Sequence, residues 1–425
     1  MMTPDPLLVA TVELAVRLDR LRPGILDGPA PDAALARRVA DEPPSEPGRL
    51  VADAARLRAE LAGSGMPAPR RRHLDAGLTA LHCQARLLDG DRPGYLAEVR
   101  DTFGVTPRRT DTDEYREVHR RLGALLPGRG PVVARMRAYR EGDVVPPRRL
   151  GAAVTAVTAE LRRRTRDLLG LPRGEDAVVA LVADRPWTAF TRYRGGLRSR
   201  VSITDAARIR AGALLPLLAH EVYPGHHTQY CRAEVAVARF PELALRLVRS
   251  PQGLIAEGAA EAAAGVVPGP GWGAVAARAL AGAGVRIDGD LAERVESELD
   301  LLGRVRQDAA LLRHVDGADP DEVTAYLARW LLVPEARARR ILAFLDHPQW
   351  RGYPVTYAEG APLVRSWLAR HPGGPVAGLR ALLDTPVLPP DLVTEGGDAR
   401  GNGSGTTAVT APALLHPEYC ASDER

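Results

Sequence analysis

The feature that most constrains this chain is the spacing of its apolar residues, which recur at three- and four-residue steps with Pro and Gly between the runs. That period suits helices burying one face and does not suit strands. Segments near 7–21, 49–63, 71–89, 112–126, 131–140 and 147–169 carry it, separated at points such as Pro23-Gly24, Pro43-Pro44 and Pro127-Gly128. Residues 1–170 thus read as a helical shell. At 425 residues, 45% apolar and 26% charged, the chain is long enough to bury a large core in one or two domains.

The texture changes after residue 170. Residues 177–183 and 187–193 are strand-like, Gly195-Gly196 supplies a turn, and 197–203 alternates. Leu197, Ser199, Val201 and Ile203 fall on one face, and Arg198, Arg200 and Ser202 on the other. The pattern predicts a small antiparallel sheet. Helices resume near Asp205, run to His220, and return at 251–264, 291–313, 320–331, 335–346 and 361–370. Ser250-Pro251 and Asp319-Pro320 mark two of their starts as cap plus first turn. Residues 171–385 form a second region continuous with the first, and 386–425, rich in Gly, Thr, Pro and Ser, read as a disordered tail.

Composition narrows the function classes. The net charge is +4, with arginine as its source because the chain has no lysine, and the arginines alternate with acids along helical segments. Even the densest runs, Arg70-Arg71-Arg72 and Arg162-Arg163-Arg164, read as solvated helix faces, so no nucleic-acid partner is expected. Cys83, Cys231 and Cys420 make no disulfide framework, and the first residues do not resemble a secretory leader, which favours the cytoplasm. No apolar run approaches the roughly 18 residues of a membrane span. Oligomeric state is left open by the sequence.

The chemistry concentrates in residues 220–227, His-Glu-Val-Tyr-Pro-Gly-His-His. A hydrolytic metal site needs neutral imidazoles and a carboxylate as ligands, an open position, and a base beside the metal-bound water. In the common H-E-x-x-H helix the two histidines sit one turn apart with the glutamate next to the water. Here Pro224-Gly225 interrupts that spacing: proline cannot donate to the carbonyl of residue 220, and glycine tolerates the backbone needed to loop two residues out. With the loop removed, His220 and His226 become the ligand pair and Glu221 the base. A helix that is merely kinked would instead bring His227 to the face of His220, so both remain open, with His226 preferred. Ser250-Pro251 then starts a helix presenting Glu257 and Glu261 four residues apart on an Ala- and Gly-rich face, where acids are costly unless paired or metal-bound. Glu257 is the expected carboxylate ligand, and Glu261 the acceptor that orients a ligating histidine.

These residues, with 192–203 and the Glu257-Gly258 pair, resemble the bacterial family catalogued as domain of unknown function 885, whose hallmark is H-E-x-x-P-G-H-H followed by E-G. The likeness is nearest to a shorter, actinobacterial-type branch and extends weakly over residues 15 to 370. It implies a mainly α, zincin-like (gluzincin-type) metallopeptidase fold with the small sheet beside the active-site helix. His220, a second histidine and Glu257 would hold zinc, with iron or manganese as alternatives, and Glu221 would be the base. In such folds a strand beside the site pairs with an extended substrate, and 197–203 would be that strand. Tyr357 and Gly360 match a further Tyr-x-x-Gly spacing, which makes Tyr357, or His227, a donor to the oxyanion. Tyr193 and Arg198 are candidate substrate anchors. The chain departs from the family in having Ala259 where Trp often follows E-G.

The resulting expectation is a zinc peptidase or amidohydrolase acting on a peptide or a small amide or ester. The competing expectations are a metal enzyme of small-molecule metabolism on the same fold, and a non-catalytic metal-binding protein.

Overall fold

The computed structural model describes residues 5–183, 188–204 and 208–393. It is mainly helical with one small sheet. Among the described residues no helix is long and apolar enough to cross a membrane.

The helical periodicity is realised along the chain, and Asp5, Asp32, Asp111, Ser250, Asp288 and Asp319 accept backbone N–H bonds at helix starts. Among the described residues the reading missed five helices of this size: Ala33–Asp41, Tyr95–Phe103, His226–Ala236, Trp272–Gly282 and Gly374–Asp384. Each is 9–11 residues long and shows only two or three apolar turns, too few for a clear period. The expected 291–313 helix is divided into Gly289–Leu301, a 3-10 turn Leu302–Arg304 and Val305–His314. Within the segment read as a tail, Pro389–Leu392 is helical and buries Leu392, and the rest of that reading, residues 394–425, lies outside the described residues.

The sheet corrects the sequence reading. Strands β1 (Asp176–Val182), β2 (Ala189–Gly195) and β3 (Arg198–Thr204) lie in the order β1-β3-β2, so the sheet is mixed. β2 and β3 form the expected antiparallel hairpin, whereas β1 runs parallel to β3. β1 and β2 thus flank β3 on opposite sides, an arrangement that alternation within single strands does not encode. Trp187 and Asp205, proposed starts of a strand and a helix, lie outside the described residues. The helix that follows the sheet starts at Ala211, because Arg210 is in a β-bridge with Val144.

The two halves of the chain share their cores. Leu245 and Leu247 pack with Leu14, Leu50 and Leu78 of the first helices, and Tyr95, Phe103 and Tyr115 pack with Ile341, Leu345 and Val364. The helix Pro251–Val266 crosses the middle, with Leu254 and Ala259 in the C-terminal core and Ala264 against Leu214 and Leu218 behind the sheet. It lies very close to the segment after Val355: a Cβ on Gly258 would sit 2.5 Å from the Gly360 carbonyl oxygen, and one on Gly360 would sit 2.7 Å from that of Leu254. Both glycines are required by this approach, which sets Glu257 and Tyr357 side by side.

Candidate metal centre

The helix Ala211–Glu221 ends at Glu221, and a new helix, His226–Ala236, begins five residues on. Pro216 is accommodated inside the first of these. Between them Tyr223-Pro224 is a cis peptide, and the Gly225 N–H turns back to donate to the Ala219 carbonyl at 2.8 Å. A Cβ on Gly225 would lie 1.7 Å from the His220 carbonyl oxygen, so no side chain fits there. Pro224-Gly225 thus does what the spacing predicts and folds the second histidine back onto the first.

His220, His226 and Glu257 converge. The two Nε2 atoms are 3.1 Å apart, His220 Nε2 is 3.6 Å from Glu257 Oε2, and His226 Nε2 is 3.4 Å from Glu257 Oε1. Ligands bound tetrahedrally to zinc at ordinary bond lengths are about 3.3 Å from one another. The other nitrogens explain the convergence. Gln229 donates its amide to the Ala256 carbonyl at 2.7 Å, so its Oε1 faces His226 Nδ1, 3.1 Å away, which must carry the ring proton. Glu261 Oε1 lies 3.4 Å from His220 Nδ1, and the two attract electrostatically. Both rings thus turn Nε2 toward one point, where a carboxylate also points. The spacing and donor types are those a divalent ion with a position to spare would take.

Burial opposes charge on His226, yet Glu257, Glu221 and Asp27 lift its pKa to about 10, so without an ion this ring takes up a second proton, on Nε2, where a bound cation would displace it. Burial lifts the Glu261 carboxyl, with His220 pulling the other way. Burial and the Glu257 charge keep the Tyr353 and Tyr357 phenols protonated far above neutrality, so both are donors.

Glu221 is buried, with Oε2 2.6 Å from the Thr191 hydroxyl of β2, and its charge reaches both His226 and Tyr357. The Tyr357 hydroxyl is buried and has no hydrogen-bond partner, and it lies in the π-turn Thr356–Gly360.

Three expected site residues do not belong to the centre. His227 turns to the sheet, where Nδ1 is 2.7 Å from Ser199 Oγ and Nε2 is 2.9 Å from Glu175 Oε2. With both nitrogens taken it neither ligates nor stabilises an oxyanion. It anchors the turn, together with the Tyr223 hydroxyl, which donates to Glu175 at 2.7 Å, and Arg162, 2.8 Å from the same carboxylate. Tyr193 is buried against Tyr230 and donates to Glu234 at 2.5 Å, so its phenol is spent on packing. Arg198 is exposed on the face of β3 opposite Ser199 and points away from the site. β3 is also the central strand, with both edges paired, and has none to lend a substrate.

Four contributors escaped the sequence reading. Tyr353 donates to Glu257 Oε1 at 2.8 Å, Gln229 fixes His226, Thr191 holds Glu221, and Asp27, bonded by Tyr230, adds charge near His226. Gln229 follows His226 at a helical step of three and Tyr353 precedes Tyr357 by four, which are legible signals; Thr191 and Asp27 carry none.

No family model and no curated protein matches the chain. Among solved structures, the "putative lipoprotein" of Colwellia psychrerythraea aligns over 81% of this chain with 16% identity and a TM-score of 0.48. The match covers 65% of that protein's length. Likeness at that level supports neither a fold family nor an activity for this chain.

Proposed function

We propose that this chain is a metal-dependent hydrolase of the zinc peptidase or amidohydrolase kind, with a zincin-like fold, and that it belongs with the domain of unknown function 885 family its octapeptide resembles. The observation that carries the reading is the meeting of two imidazole Nε2 atoms and a carboxylate at one buried point, with Gln229 facing the other nitrogen of His226. Glu221 beside it separates this reading from a purely structural site, which has no use for a base.

His220, His226 and Glu257 would hold the ion, zinc being preferred over iron or manganese. When bound, such an ion polarises a carbonyl and makes a water acidic enough to ionise near neutral pH. The residues of the chain supply the rest. Glu221, anchored by Thr191, takes a proton from the water as its oxygen bonds to the amide or ester carbon, and returns that proton to the leaving atom as the scissile bond breaks. Tyr357, protonated and unpartnered, donates to the carbonyl oxygen as charge develops there. Tyr353, Gln229 and Glu261 keep the three ligating groups in register. Cys83 and Cys231 are buried free thiols, which supports a reducing compartment such as the cytoplasm.

The test is metal content together with turnover. Purified protein should carry about one divalent ion per chain and cleave short peptides or amides in a chelator-sensitive way. Glu221→Gln should retain the ion and lose turnover by a factor on the order of 10²–10⁴. Retention of full activity in that variant would remove the base and with it the mechanism.

A further inference from the structure

The loop after the first helix, Pro6–Leu21, brings an acid up to the helix that carries His226. Tyr230 follows His226 by four residues and so shares its face, and the two rings stack with centroids 6.1 Å apart. The Tyr230 hydroxyl lies 2.8 Å from each carboxylate oxygen of Asp27. Asp27 is half-buried whereas Tyr230, His226 and Glu257 are buried, so of these four it is the one most open to solvent.

Asp27 is held in place but not paired. Asp19 Oδ1 accepts the N–H groups of Gly24, Ile25 and Leu26 at 3.0, 2.9 and 3.0 Å, Leu26 forms a β-bridge with Leu247, and the Asp27 N–H donates to the Arg246 carbonyl at 3.0 Å. The Arg246 guanidinium is turned elsewhere: its Nε donates to the backbone carbonyl of Asp27 at 3.2 Å, and it lies over the Tyr193 ring, 5.2 Å from the centroid. Among the described residues the Asp27 carboxylate forms no ion pair, and its hydrogen bonds come from one phenol, which has a single proton to give. A carboxylate can accept about four such bonds, so most of its capacity is open to a ligand. A charged acid fixed without a cation costs free energy that a cationic ligand offsets.

We propose that Asp27 binds a free ammonium group of the substrate, with Tyr230 as the positioning residue that holds its carboxylate ready. The inference rests on the hydrolase reading above and narrows it: the substrate carries a free amine close to the bond cleaved, as the N-terminal residue of a short peptide does. An ammonium brings three N–H donors to the acceptor sites that Tyr230 leaves open, and a charge-assisted bond of this kind is about twice as strong as a neutral one. His226 and Tyr230 share one helix face, so the ammonium at Asp27 and the proposed ion at His226 lie on the same side of that helix, where one short substrate reaches both.

The test compares alanyl-alaninamide with lactyl-alaninamide, which has a hydroxyl in place of the ammonium and is otherwise the same size. Each is titrated calorimetrically into the protein as purified at about pH 6.5, where the α-ammonium is charged, and chromatography of the mixture afterwards shows whether it was cut. Wild-type protein is expected to bind the amine at least about tenfold more tightly, the size of one charge-assisted hydrogen bond. Asp27→Asn still accepts from Tyr230 and loses only the charge, so it should erase the preference, whereas Asp27→Glu should keep part of it. Equal binding of the two compounds by the wild type overturns the proposal. So does an undiminished preference in Asp27→Asn, the result expected if the amine binds the ion instead. Should Asp27→Asn not fold, Asp27→Ser, whose hydroxyl also accepts from Tyr230, is read in its place. Compounds left uncut would sink the hydrolase reading while the ratio of dissociation constants still decides this one; where they are cut, the ratio of KM values takes its place.

Discussion

Adjacent histidines with opposite duties make a sharp test. Replacing His226 by alanine removes a donor 3.1 Å from His220 Nε2 and 3.4 Å from Glu257, leaving two ligands. Loss of a residue that merely orients a ligand costs metal affinity by about 10–100-fold, so loss of the ligand itself should exceed about 100-fold. Replacing His227 breaks its contacts to Ser199 at 2.7 Å and Glu175 at 2.9 Å. Glu175 keeps Tyr223 and Arg162, so no buried charge is stranded, and the cost is about one neutral and one charge-assisted hydrogen bond, roughly 2–4 kcal/mol. For a chain of 425 residues each kcal/mol moves the melting temperature by about 1 °C, which gives a drop of about 2–5 °C. Zinc affinity by competition with a chromophoric chelator, and calorimetric melting of the stripped protein, measure the two effects. His226→Ala should lose zinc and His227→Ala should lose stability while keeping zinc. The reverse pattern would refute the ligand assignment and the account of the helix break.

Three further outcomes are expected. Gly225→Ala places a Cβ 1.7 Å from the His220 carbonyl oxygen and 2.5 Å from that of Ala219; it should cost about 4 kcal/mol or more, seen as loss of soluble protein or of zinc in what remains soluble. Tyr353→Phe keeps the ring against Trp350 and Phe103 and removes the donor to Glu257, so zinc affinity should fall about 10–100-fold with melting of the stripped protein little changed. His73 is buried, with its pKa pushed down from 6.5 to about 4 by burial. The unfolded chain takes up that proton first, so the stability His73 supports is present above pH 6.5 and is lost as pH falls toward 4, by up to about 3 kcal/mol. In His73→Leu the decline in stability between pH 7 and pH 4, followed by denaturant titration, should be smaller by that amount; an unchanged decline would mean that His73 titrates normally.

Helices and ligands were readable because their signals are local. Apolar steps of three and four mark the long helices, and His220, Glu221 and His226 stand within seven residues whose order already contains the turn between them. Glu257 and Glu261 were readable because acids on an Ala-rich face need a partner. What the sequence withheld is long-range. Nothing in residues 176–182 states that β1 pairs parallel with β3, and nothing in Thr191 or Asp27 states that Glu221 or His226 lies nearby. Tyr193 and Arg198 were misplaced for one reason: strand alternation separates two faces but does not say which face meets the site. Tyr193 faces inward and spends its hydroxyl on Glu234, and Arg198 faces solvent.

The helix break itself explains why both histidines are needed. In an unbroken helix His226 would stand about 240° around and about 9 Å along from His220, a third of a turn off its face. His227 would return to the same face about 10.5 Å away, too far to share an ion bonded at about 2 Å. Neither arrangement makes a centre. Ending one helix at Glu221 and restarting another at His226 cancels the separation and brings the Nε2 atoms to 3.1 Å. The next residue then projects about 100° around the new helix, toward Ser199 and Glu175, and ties the turn to the sheet. The same sheet holds Glu221 through Thr191, so the proposed ligands, the proposed base and the turn share one support, and the Pro224-Gly225 interruption supplies the convergence that the proposed ion would require.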